Sequence, residues 1–159
     1  MTWLITGGAG YIGSHVVRAA LGAGHSIVVA DDLSTGIADR LPSQVPLEQV
    51  DLTDKQMVDQ VFKAHRVTGV VHLAAKKQVG ESVARPEYYW EQNVGGLVNL
   101  LDSMATHHVD NLVFSSSASV YGEPDTAELI DEQVECRPIN PYGATKLMGE
   151  WLVQAHAVA

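Results

Sequence analysis

An α/β fold built around a parallel sheet follows from three features of this 159-residue sequence. Short apolar, β-branched runs alternate with longer segments of helical period, a glycine-rich turn joins the first run to the first helical segment, and the pattern repeats along the chain. One domain of ordinary size accommodates that length.

The pattern predicts strands at Trp3–Thr6, Ser26–Ala30, Leu47–Val50, Gly69–Leu73 and Asn111–Ser115. A first helix should begin around Tyr11 and stop near Gly22 or Gly24. A second is expected from Thr53, with Gln56 at capping-box spacing, to about His65. A third should start near Pro86, its Val94, Leu97, Leu101 and Met104 forming one apolar stripe that reads as core. Tyr88, Tyr89 and Trp90 read as packing aromatics on it. A fourth is expected at Asn140-Pro141, with asparagine as cap and proline in the first turn, where its missing N–H costs nothing. The proline-containing, acidic stretch Gly122–Ile139 reads as surface loop.

With 10 basic and 19 acidic side chains the formal charge is −9, which repels both a nucleic-acid backbone and an anionic membrane surface. The single cysteine, Cys136, excludes an internal disulfide and a cysteine-rich zinc site, so a reducing, cytoplasmic setting is expected. The opening Met1-Thr2-Trp3-Leu4-Ile5 has no basic leader ahead of an apolar stretch, and no apolar run approaches the roughly 20 residues of a membrane span. Adjacent histidines such as His107 and His108 point to different helix faces and make a poor metal pair. His72, closing the fourth strand, reads as hydrogen-bonded structure.

Gly7, Gly10 and Gly13 stand between the first strand and the first helix in GxxGxxG spacing. Glycine there permits a tight turn, lets backbone N–H groups approach a pyrophosphate and allows close helix–strand packing, while the helix N-terminus adds positive potential. Asp31 lies 18 residues beyond Gly13, at the end of the second strand, where a carboxylate can accept hydrogen bonds from an adenosine ribose. Its charge would repel a 2′-phosphate, which favours NAD over NADP. The neighbouring Asp32 reads as a solvated turn residue. Asp51 and Leu52, after the third strand, either line an adenine pocket or lead into the second helix.

Tyr142 and Lys146 are four apart on the fourth helix and so share a face. An ammonium beneath the phenol and a helix N-terminus beside it both favour a phenolate base. Ser115, Ser116, Ser117 and Ser119 bring hydroxyls to the end of the fifth strand, at the sheet edge open α/β folds use for ligands. Composition does not choose among them, and local turn bonding competes for each.

The motifs GGAGYIGSH, DDLSTG, HLAAKKQVGES, Asn93-Val94 before glycine, FSSSASVYG and NPYGATKLMGE together resemble the extended short-chain dehydrogenase/reductases. The resemblance covers essentially the whole chain. It implies a Rossmann-like doubly wound sheet, incomplete at its C-terminus, that holds NAD against a UDP-linked sugar and inverts C4 through a bound 4-keto sugar. It also implies Ser117 as the hydroxyl positioning the sugar O4, Tyr142 as base and Lys146 as its partner. Tyr11, Ile12, Asp31, Asp51, Leu52 and Lys77 are implied at NAD, with the Leu73-Ala74 turn beside it and Asn93 in support. Ala75 stands where the family often has glycine, and Lys76 competes with Lys77 for the cofactor contact.

A related 4,6-dehydratase would need an acid pair after the strand-end hydroxyl, where this chain has Ala118 and Ser119. Epimerases of UDP-glucuronate, UDP-arabinose or an N-acetylhexosamine fit the same motifs, and a non-catalytic NAD-binding module is the alternative of another class. The family further implies a homodimer surface on the third helix. Five strands where such sheets normally have six, and an end within the helix of Tyr142, predict that residues 1–159 are a truncated NAD-binding domain without the C-terminal substrate domain. Such a piece is expected to be inactive alone and to expose apolar surface along its fifth strand.

Overall fold

The computed structural model describes residues 1–123 and 129–158. Five parallel strands form one sheet: β1 (Thr2–Thr6), β2 (Ser26–Asp31), β3 (Leu47–Gln49), β4 (Val67–His72) and β5 (Leu112–Phe114). Their order is β3-β2-β1-β4-β5, so the chain moves outward from β1 in one direction and returns to begin the other half at β4. That reversal opens a crevice at the carboxyl edge between β1 and β4.

Alternation of side chains along the strands builds two apolar layers. Leu4, Val28, Ala30 and Val70 face helices α2 (Lys55–His65) and α5 (Gly96–Thr106), meeting Val58, Val61, Phe62, Leu97, Leu100, Leu101 and Met104. Ile5, Ile27 and Val29 face the other way, onto Val17 and Ala20 of α1 (Tyr11–Gly22). Each fully buried aliphatic contributes roughly 1.5–3 kcal/mol of transfer free energy. A one-residue slip of any central strand would exchange the two layers. The five expected strands and the ends of α1 and α2 therefore stand within a residue or two of their predicted positions. Gly24, at φ +84°, lets the chain leave α1, its N–H donating to the Leu21 carbonyl at 2.9 Å.

Three local expectations are corrected. The cap of α2 is Asp54, whose Oδ1 accepts the N–H groups of Gln56 and Met57 at 3.0 and 3.1 Å. Thr53 instead donates its hydroxyl to Asp51 Oδ1, because a carboxylate two residues back outcompetes the capping role. The third helical region starts earlier, with α3 (Val79–Ala84), then α4 (Pro86–Tyr89), a π-helical turn at Trp90–Gly95, and α5. Apolar periodicity cannot register that wider turn. Finally, Tyr89 is fully buried but Trp90 is 37% exposed, so only one of those two aromatics is core.

The last helix, α6 (Pro141–Val158), carries Asn140 as its cap, with the Gly143 N–H donating to Asn140 Oδ1 at 2.8 Å. Between β5 and α6 the described residues contain one 3-10 turn, Ala118–Tyr121; residues 124–128 of the predicted surface loop lie outside the described residues. On β5 itself Val113 is 55% exposed, and on α6 so is Trp151.

Candidate active site

The glycine turn is shaped by contacts no side chain could share. Gly7 has φ +69°, and a Cβ there would lie 2.7 Å from the Ala74 nitrogen; a Cβ on Gly13 would lie 2.1 Å from the Gly7 carbonyl. Gly10 precedes α1 without any side-chain cap. The first N–H groups of the helix consequently have no helical partner and point into the crevice with the positive end of the dipole.

Asp31 is buried at the tip of β2. Its Oδ2 accepts the Ala9 N–H at 3.0 Å and its Oδ1 accepts the Leu33 N–H at 2.9 Å. The acid therefore fastens the glycine turn to the loop after β2, and each oxygen keeps acceptor capacity for a further donor. Gly36 makes this packing feasible, since a Cβ there would lie 2.5 Å from Asp31 Oδ1.

On the other side of β1, Thr6 and His72 lock the strand ends together at 2.7 Å. The Thr6 hydroxyl also accepts from the Leu73 and Ala74 N–H groups at 3.3 and 3.4 Å, which leaves its proton for His72 Nδ1. Burial, aided by the nearby Lys146 charge, holds His72 down at about 3, so the ring is neutral. The structural reading of His72 stands.

The β4 loop is anchored by Asn93 on the π turn. Its Oδ1 accepts the Lys76 N–H at 2.8 Å, while its amide donates to the Lys76 carbonyl and to Thr145 Oγ1, both at 3.0 Å. Lys76 then reaches across to Asp32 Oδ2 at 2.6 Å and Ser34 Oγ at 2.7 Å. Burial works against both charges, but the mutual hydrogen bond wins, with the Asp32 carboxyl held below and the Lys76 ammonium above their ordinary ranges. Asp32 is thus an ion-pair partner, contrary to its expectation as a solvated turn residue. Lys77 is exposed at the crevice rim.

At the far end, α6 packs tightly because Gly143 and Gly149 leave no side chain between it and its neighbours: a Cβ would lie 2.5 Å from the Ser119 carbonyl and 2.6 Å from Phe114 Cζ, respectively. This brings the turn carrying Ser117 up against the first turn of α6, where Tyr142 sits. Ser117 Oγ accepts the Ser119 N–H at 3.2 Å. Ser116 donates a short hydrogen bond to Glu150 of α6. Lys146 is 5% exposed, donates to the Ser115 carbonyl at 2.8 Å and lies 5.1 Å from the Phe114 ring centre. Burial pushes its ammonium down to about 8.

The residues expected at the cofactor and in catalysis line a single crevice of about 340 Å³: the glycines with Tyr11 and Ile12, Asp31, Asp51 and Leu52, Leu73 and Ala74, Lys77, Asn93, Ser117, Tyr142 and Lys146, whereas Ser119, the last of the candidate hydroxyls, is not in its lining. Asp51 lines the crevice while its Oδ1 accepts the Thr53 N–H at 2.9 Å on the way into α2. Both lysines that competed for the cofactor contact, Lys76 and Lys77, line the crevice, while sequence reasoning missed Ser34, Thr35 and Gln92; the hydroxyls of DDLSTG were the available signal for the first two. Among the described residues no three His, Cys, Asp or Glu side chains converge as a metal site, and no helix is long and apolar enough to cross a membrane.

A glycine turn under a helix N-terminus, a β2 acid and a Tyr–Lys pair in one crevice at the sheet's carboxyl edge are the features of a Rossmann-like dinucleotide-binding fold. The chain belongs to the NAD dependent epimerase/dehydratase family, whose model matches residues 3–159. It is similar to the UDP-glucose 4-epimerase of Corynebacterium glutamicum, 43% identical over 159 residues, which cover 100% of this chain and 47% of that protein. Among solved structures it is similar to the Thermus thermophilus UDP-glucose 4-epimerase in complex with NAD, with TM-score 0.96 and 39% identity over 99% of this chain and 51% of that one. The Thermotoga maritima UDP-glucose 4-epimerase with UDP-glucose gives TM-score 0.95 at 34% identity, over 99% of this chain and 52% of the other. The chain spans about half the length of the curated relatives it matches.

Proposed function

We propose that this chain is the NAD-holding part of a UDP-glucose 4-epimerase, interconverting UDP-glucose and UDP-galactose in a full-length protein in a cytoplasmic setting. The observation that carries the reading is the shared crevice: a phosphate-binding turn at one end and Tyr142, Lys146 and Ser117 at the other. The residues fit the cofactor, because the first N–H groups of α1 carry no side-chain cap at the crevice and Asp31 beside them keeps acceptor capacity.

Tyr11, Ile12 and Gly13 offer backbone N–H groups to a pyrophosphate. Asp31 takes the adenosine ribose hydroxyls with its remaining acceptor capacity and disfavours a 2′-phosphate. Asp51 and Leu52 border the adenine, Leu73, Ala74 and Lys77 the nicotinamide side, and Asn93 holds the loop that carries them. When bound, NAD supplies the acceptor and donor of hydride. The Tyr142 oxygen takes the proton from the sugar O4 and later returns it, with Ser117 holding the same oxygen and Lys146 balancing charge beneath. A homodimer through the Pro86–Thr106 region belongs to this reading, supported by Trp90 and Val98 being exposed there.

The test is to supply UDP-galactose to a full-length version without added NADH and follow UDP-glucose. Conversion is expected. No conversion of that sugar, but turnover of an N-acetylated or uronic analogue, would reassign the substrate.

A further inference from the structure

The strands that flank β1 are β2 and β4. Their following loops carry opposite charges that meet: Lys76 Nζ lies 2.6 Å from Asp32 Oδ2 and 2.7 Å from Ser34 Oγ. A link between those two loops has to pass over the carboxyl end of β1 and the glycine turn that follows it. All three side chains line the crevice there.

Both ends of the link are built. Asn93 grips the N–H and carbonyl of Lys76 and is itself tied to Thr145 on α6, so the lysine side chain starts from a fixed point. Asp32 Oδ1 accepts from the Ser34 N–H at 2.9 Å and hydroxyl at 2.7 Å, which sets the carboxylate and leaves Oδ2 for the ammonium. The Ile37 N–H donates to the Ala9 carbonyl at 3.0 Å, pinning this loop to the glycine turn. Side-chain exposures of 16% for Lys76 and 32% for Asp32 place the pair out of full solvent screening.

We propose that the Lys76–Asp32 pair is a clasp over the dinucleotide, a positioning contact that retains the cofactor beneath it by tying the β2 loop to the β4 loop. The proposal rests on the NAD reading above. A dinucleotide running from Asp31 to Tyr142 must pass the same point, so release requires the pair to part. Lys76 therefore acts through Asp32, whereas Lys77 next to it is exposed at the rim.

The experiment measures release of bound NADH from this chain after mixing with excess NAD, followed by NADH fluorescence, in the unmutated protein, Lys76→Met, Asp32→Asn, the double variant and Lys76→Arg. Lys76→Met and Asp32→Asn should each speed release about fivefold, the scale of one partly shielded ion pair. The double variant should release no faster than either single one. Lys76→Arg should restore slow release, and association rates should change less than about twofold, since the clasp acts on departure. Thermal unfolding without cofactor shows that each variant is folded. Release unchanged in Lys76→Met, or additive effects in the double variant, overturns the clasp. So does slower release in Asp32→Asn, which would mean that Lys76 holds the pyrophosphate directly. If the unmutated chain retains no NADH, the cofactor reading itself falls and the clasp with it; retention with equal release rates removes the clasp alone.

Discussion

Replacing Lys146 with methionine should stabilise the cofactor-free chain at neutral pH and weaken the site's chemistry. Burial lowers this ammonium from 10.5 to about 8. That drop corresponds to roughly 3 kcal/mol against holding the charged form in the fold at pH 7. The bond to the Ser115 carbonyl and the contact with Phe114 return about 1 kcal/mol each, and methionine forfeits both. The net gain for Lys146→Met is about 1–2 kcal/mol at pH 7. Because the folded value lies below the unfolded one, the unfolded state binds more protons between about pH 8 and 10.5, and native stability rises with pH through that window. The advantage of the variant should accordingly shrink by about 1.3 kcal/mol between pH 7 and pH 9. Urea unfolding of both proteins at the two pH values measures this, and taking the difference cancels every other titrating group. A variant less stable than the parent at pH 7, or a gap that does not change with pH, would refute the reasoning.

Gly13→Ala puts a methyl group where 2.1 Å separates the built Cβ from a backbone oxygen, so it should destabilise the chain by about 3 kcal/mol or more and remove NAD binding. Thermal unfolding and titration with NAD check it; a folded variant that binds normally would dissociate the turn from the cofactor. In a full-length version, Tyr142→Phe should abolish nearly all turnover while leaving NAD binding, and Ser117→Ala should cost less because water can replace one hydroxyl. Steady-state rates with UDP-galactose distinguish these, and near-normal turnover by the phenylalanine variant would show that another group is the base.

The sheet was legible because strand burial is written directly into short β-branched runs: Ile27–Ala30 at the centre of Ser26–Asp31, and Val70-Val71 within Val67–His72, as strands covered on both faces require. The crevice was legible for a related reason. Gly7, Asp31, Ser117 and Tyr142 are all at strand ends or helix starts, so locating the elements also places these residues on one sheet edge. What escaped was tertiary. Lys76 and Asp32 are 44 residues apart, and nothing local in either loop records their pairing. Asp54 displaced Thr53 as a cap through a choice between neighbouring side chains that differ little in propensity. The π turn at Trp90–Gly95 left the apolar period of the following helix intact and so was invisible to it. Asn93, carried by that turn, was placed at the cofactor by family resemblance, but its grip on Lys76 and Thr145 emerged only from the fold.

The most direct test of the central claim, that this crevice holds NAD with Asp31 at its ribose end, is calorimetric titration of the 159-residue chain and of Asp31→Ser with NAD and NADP. The account predicts that the unmutated chain binds NAD well ahead of NADP and that the serine variant loses much of that preference, since the carboxylate that disfavours the 2′-phosphate is gone. Equal binding of the two cofactors by the unmutated chain, or an unchanged preference after the substitution, would contradict it.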